Sequence, residues 1–143
     1  MSTFDYGKIH ITTSKKDLDM EVIMNFMNSH SYWARERDRK TMQKAVDTSL
    51  CFGMYYESEM IGFARIITDF ATMYYLCDVF IRPEYQKKGL GKKLVKAVLD
   101  APELQGLYGI LLTKDAHELY KRFGFSGDPE SAGKFMIRRD WNY

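Results

Sequence analysis

Residues 73–113 constrain this chain more than any other stretch. "MYYLCDVFI" at 73–81 reads as a strand. Arg82-Pro83 ends it, because proline cannot donate to a ladder. "PEYQKKGLGKKLVKAVL" at 83–99 then turns on Gly89 and Gly91 and runs into a helix, with Leu90, Leu94, Ala97 and Val98 on one face. "LYGILLT" at 107–113 is an apolar strand. A strand, a helix and a second strand in this order make a parallel crossover pair.

The flanks add further elements. "KIHITT" at 8–13 alternates as a strand, and "SKKD" at 14–17 has the spacing of a capping box. Met20, Ile23, Met24 and Met27 then repeat as one helix face. Residues 29–37 lose that period and read as a loop; Met42, Ala45 and Val46 resume it as a second helix. "LCFGMYY" (50–56) and "MIGFARIIT" (60–68) read as a hairpin around the four-residue region "ESEM". "DAHELYKRF" (115–123) is helical, 124–133 is rich in turn residues, and "KFMIRR" (134–139) reads as a closing strand. The order β α α β β β α β α β suits a mixed α/β or α+β domain. With 143 residues the chain fits one domain and needs no staples.

Composition excludes several classes. A net charge of +2 is too small to argue for nucleic acid, although lysines cluster over 87–96. No apolar run reaches the ~20 residues that span a bilayer, and "MSTFDYGK" lacks the apolar core of a signal peptide. Cys51 and Cys77 lie in apolar surroundings outside any CxxC pair, as reduced thiols of a cytoplasmic protein would. His10, His30 and His117 are scattered, so no metal is expected.

The glycine turn is the candidate ligand site. Glycines let backbone approach phosphate oxygens, and a helix N-terminus presents outward N–H groups and the positive end of the dipole. A Walker loop would need glycine at Gln86 and Ser or Thr at Lys93. A dinucleotide fingerprint would need glycine at Leu94. What remains is Gln86-x-x-Gly89-x-Gly91, which by itself also suits a plain strand–turn–helix with two structural glycines.

"DVFIRPEYQKKGLGKKLV" followed by "AHELYKRFGF" resembles the GNAT superfamily of acyl-CoA-dependent N-acyltransferases, over about residues 50–139. The resemblance implies a central mixed, mostly antiparallel twisted sheet flanked by helices. A splayed strand pair, opened by a bulge on the 73–81 strand, would hold the cofactor. It implies direct transfer of acetyl from acetyl-CoA to a primary amine on a small molecule or peptide, with no metal and no nucleic acid. A homodimer is left open. The backbone of Val79, Phe80 and Ile81 would pair with the pantetheine arm as an added strand. Gln86 starts the pyrophosphate motif, and Lys87, Lys88, Gly89, Leu90, Gly91 and Lys92 would hold the phosphates. Tyr120 would protonate the leaving thiolate, or else serve as a core aromatic. Thr113 stands where many members carry a pantetheine-binding asparagine; it either keeps that contact or caps the helix. Tyr75 stands where some members carry a glutamate base, leaving Asp78 and Asp69 as the nearest carboxylates and water as the alternative. Tyr32 and Trp33 could wall an acceptor pocket, and Arg35 or Arg37 could hold a substrate carboxylate. A binding module that senses acyl-CoA without useful catalysis is the alternative function.

Overall fold

The computed structural model describes residues 3–29, 37–127, 130 and 133–138. They fall into two units, Met1–Leu111 and Leu112–Tyr143. The first holds β1 (Ile9–Thr12), α1 (Met20–Ser29), α2 (Arg39–Asp47), β2 (Leu50–Tyr56), β3 (Glu59–Thr68), β4 (Met73–Ile81), α3 (Leu90–Leu99) and β5 (Tyr108–Leu111). The second holds α4 (His117–Lys121).

One five-stranded sheet runs in the order β1-β2-β3-β4-β5. Its first three pairings are antiparallel. The last, β4 with β5, is parallel, as the crossover through α3 requires. The sheet is therefore mixed and mostly antiparallel, flanked by helices. β2 and β3 join through Glu57 and Ser58 alone, since Tyr56 already pairs with Glu59; the hairpin loop is shorter than the four residues expected. Glu57 turns the chain with φ 54.

Side-chain alternation sends the two faces to different helices. Phe80 faces α1 and stacks on Phe26 at 4.3 Å between ring centroids. It joins a core of Ile23, Met27, Met42, Val46, Cys51, Met60 and Phe63. Its neighbour Ile81 faces the other way, toward Gly91 of α3. α3 covers that second face with Leu90, Leu94, Val95 and Val98 wholly buried. The methionines at helical spacing are thus core filler.

Four local expectations are corrected. The helix start at Ser14 moves to Asp19, whose carboxylate accepts the N–H groups of Glu21 (3.0 Å) and Val22 (3.3 Å). Asp19 abuts the first apolar residue of the helix and caps it directly, whereas Ser14 Oγ accepts the N–H of Lys16, short of the helix. The strand expected over 107–113 pairs only over Tyr108–Leu111. The helix expected over 115–123 is confined to His117–Lys121. The closing strand at 134–139 does not form over 134–138, where Phe135, Met136 and Ile137 are exposed. A strand needs a ladder, and among the described residues its unit offers no other strand.

Candidate cofactor and active site

The glycine turn is assembled from the end of β4 outward. Arg82 N–H donates to Ile61 C=O at 2.7 Å, the last rung of the β3–β4 ladder. Pro83 opens a single 3₁₀ turn that closes at Tyr85. Gln86 Nε2 reaches back to the Ile81 carbonyl at 2.8 Å, so the motif's first side chain braces the loop against the strand. Lys87 (φ 65) and Gly89 (φ 78) both adopt the left-handed conformation, which reverses the chain into α3.

The first helical hydrogen bond of α3 is Lys93 N–H to Gly89 C=O. No side chain caps the helix. Among the described residues, no N–H group from 87 to 92 has an acceptor. Helix starts leave such donors orphaned, and consecutive ones form a concave anion site.

Gly91 supplies the stronger clue. It lies inside the first turn of α3, where glycine is less favourable than alanine by roughly 0.8–1.0 kcal/mol. Its φ is not positive, and an added Cβ would meet only Ile81 Cγ1, at an ordinary 4.0 Å. Nothing within the described protein requires glycine there. The bare backbone suits a phosphate approaching from outside, so these residues fit the pyrophosphate of an acyl-CoA.

The lysines separate. Lys87 and Lys92 are exposed. Lys88 Nζ sits 5.0 Å from the Phe4 ring centroid, a cation–π contact. Its carbonyl accepts Tyr6 O–H at 3.1 Å. Phe4 in turn stacks on Tyr56. The N-terminal segment therefore braces the turn, a contact for which the sequence carried no signal. Lys96 pairs with Asp100 on an exposed helix face.

The edge beside the turn is open. β5 meets β4 only from Met73 to Leu76, so among the described residues the 77–81 half of β4 has no strand on that side. Antiparallel residues alternate in direction, so the rung at Arg82 turns the backbone of Ile81 away from β3. The β3–β4 register slips between Phe63↔Phe80 and Arg65↔Cys77, leaving Asp78 and Val79 opposite Ala64 alone. This is a bulge on β4, centred on Asp78 at φ 52.

The candidate bases are occupied. Asp69 sits in the β3–β4 turn, accepting N–H from Ala71 (2.9 Å) and Thr72 (2.8 Å) and the Thr72 hydroxyl (2.6 Å). Those bonds, led by the Thr72 hydroxyl, hold its carboxyl well below the usual range. Asp78 is buried, and its Oδ2 accepts from Arg65 Nε at 2.7 Å and Arg37 Nη1 at 2.8 Å. Arg37 is thus tied to Asp78. Tyr32, Trp33 and Arg35 lie outside the described residues. Arg65 had no place in the sequence reading, although a lone arginine inside the apolar run "MIGFARIIT" was the available signal.

Burial pushes the Cys77 thiol up to about 12 and that of Cys51 to about 11, which removes both as thiolate nucleophiles near neutral pH.

The second unit carries the other two candidates. Tyr120 is buried and meets Phe125 edge-on, with ring centroids 6.0 Å apart. Burial pushes its phenol up to about 12. Thr113 Oγ1 accepts Ala116 N–H at 3.0 Å and so stabilises the turn before α4. With its hydroxyl engaged there, Thr113→Ala is expected to weaken acetyl-CoA binding by less than about tenfold. A larger loss by calorimetry, with the fold intact, would make Thr113 a ligand contact.

Residues 20–125 match the acetyltransferase (GNAT) family. A solved chain from Xanthomonas campestris, ascribed to that family, is 39% identical and superposes with a TM-score of 0.86 over 92% of each chain. The spermine/spermidine N(1)-acetyltransferase of Bacillus subtilis is 32% identical over 60% of this chain and 67% of its own. The N-acetylglutamate synthase of Neisseria gonorrhoeae, solved with coenzyme A and N-acetyl-glutamate, is 16% identical and shares the fold, with a TM-score of 0.67 over 92% of this chain and 30% of its own.

Proposed function

Because the chain belongs to the acetyltransferase (GNAT) family, we propose that it moves an acetyl group from acetyl-CoA to a primary amine in a ternary complex. The observation that carries this reading is the run of N–H groups at 87–92 that have no acceptor among the described residues, continuous with the edge at 79–81 that no described strand covers. Acetyl-CoA supplies the activated thioester. The edge formed by Val79, Phe80 and Ile81, on which the Ile81 backbone turns outward, pairs with the amide-bearing pantetheine arm as an added strand. The turn from Lys87 to Lys92 holds the pyrophosphate, with Gln86 bracing it. Lys87 and Lys92 contribute field, while Lys88 acts mainly through its backbone.

Tyr120 donates its proton toward the leaving sulfur. The amine must arrive neutral, and a lysine-like amine with ordinary pKa ~10.4 is neutral only about once in 10³ at pH 7. Asp69 and Asp78 are both held by other groups, so ordered water is the better route for that proton. Tyr32, Trp33 and Arg35 remain candidates for the acceptor pocket, and the acceptor is a small-molecule or peptide amine.

Calorimetry with acetyl-CoA, followed by a panel of polyamines, amino acids and peptide N-termini assayed for CoA release, tests the proposal. Binding is expected, together with amine-dependent release for at least one class. Binding without release for any amine would favour an acyl-CoA-sensing module instead.

A further inference from the structure

A charged cluster lies in the sheet at the β4 bulge, where an apolar one would suit the surroundings. Arg65 is 7% exposed on β3, between buried Ala64 and Ile66. Asp78 is 2% exposed, with its carboxylate wholly covered. Arg65 spends Nε on Asp78 and Nη1 on Ser49 Oγ at 3.1 Å. Arg37, just ahead of the Asp38 cap of α2, adds a second guanidinium to the same carboxylate oxygen.

Replacing a buried ion cluster by apolar side chains is often neutral or stabilising, so stability alone is a weak reason to keep one. Geometry is a better one. Asp78 takes a left-handed φ of 52, a conformation that aspartate tolerates better than most residues but glycine adopts freely. Its side chain is fixed there by partners on β3 and before α2. Without the extra residue at this point, the strand beyond would slip by one and every later side chain would change face. Phe80 would leave its stack on Phe26, and Ile81 would turn its backbone toward β3.

We propose that Asp78 is a positioning residue: held by Arg65 and Arg37, it sets the β4 bulge and thereby presents the open edge at 79–81 to the cofactor. This rests on the acetyl-CoA reading above. Asp78→Asn keeps the left-handed tolerance and removes the charge. It is expected to lower the melting temperature and to weaken acetyl-CoA binding by at least about tenfold. The double variant Asp78→Gly/Arg65→Met separates geometry from stability, because it removes the buried carboxylate together with Arg65, the more buried of its two partners, and leaves Arg37 at a more exposed position. Its melting temperature is expected to recover toward that of the parent. Its acetyl-CoA Kd and single-turnover rate are expected to stay at least about tenfold worse. A folded double variant, or a folded Asp78→Asn, with Kd and rate within about twofold of the parent overturns the proposal. A parent that does not bind acetyl-CoA overturns the functional reading and this inference together. A parent that binds, with unchanged variants, overturns this inference alone.

Discussion

Tyr120→Phe is expected to lower the single-turnover rate of acetyl transfer by about 10²-fold while acetyl-CoA affinity stays near that of the parent. The magnitude follows from two considerations. A phenol pushed up to about 12 by burial is fully protonated at neutral pH and remains loaded as a donor. It is also a weaker acid than a thiol of ordinary pKa ~8.5, so complete transfer to the thiolate is uphill by itself. Its main contribution is then a hydrogen bond to the charge that develops on sulfur. Hydrogen bonds to charged groups contribute about 1.5–3 kcal/mol, equivalent to roughly 10- to 10²-fold in rate. The solvent proton that later fills the thiolate need not limit the rate.

The substitution preserves the ring and its edge-on contact with Phe125, so packing and chemistry are separated. Rapid-quench measurement of the first turnover avoids masking by slow product release. A rate within about twofold of the parent would make Tyr120 a packing residue. Because the phenol stays protonated well above pH 9, the rate below that pH should rise with deprotonation of the amine and show no loss from Tyr120.

Gly91→Val is expected to reduce acetyl-CoA affinity by about 10²-fold or more without reducing the melting temperature appreciably. A Cβ added at Gly91 meets Ile81 Cγ1 at an ordinary 4.0 Å, and almost any residue is a better helix former than glycine. A phosphate held by the turn would, however, lose its close approach to the backbone there. Losing two hydrogen bonds to a charged phosphate removes about 3–6 kcal/mol, or some 10²- to 10⁴-fold. Gly91→Ala should fall between parent and valine in affinity and be slightly more stable than the parent. Stability and binding thus move in opposite senses, which a folding defect cannot imitate. Gly89 is the poorer test, because its φ of 78 strains any L side chain and mixes fold with function. Calorimetry showing parent-like affinity in folded Gly91→Val would remove the turn as the phosphate site.

The sequence by itself determined what depends on neighbours along the chain. The apolar periods placed α1, α2 and α3 and most of their buried faces, although on α3 Val95 is buried where the period predicts Ala97, and the proline-ended strand with its two glycines located the turn and the parallel crossover. Those signals are local, because helix faces, turns and breakers are set by residues a few positions apart. Only the tertiary structure decided what depends on partners far along the chain. Arg65 and Asp78 are thirteen residues apart on neighbouring strands, and their pairing at the bulge converts a candidate base into part of the frame. Arg37 joins them across forty-one residues, so a candidate substrate ligand is drawn into the same cluster. Lys88 is turned onto Phe4, and its backbone held by Tyr6 from eighty-two residues away, which no local pattern announces. The run at 134–138 had a strand's composition but, among the described residues, joins no ladder, and a strand is a pairwise object. Burial acts in the same way: the weak acidity of Tyr120 and the inertness of Cys77 come from surrounding atoms that the sequence does not order in space.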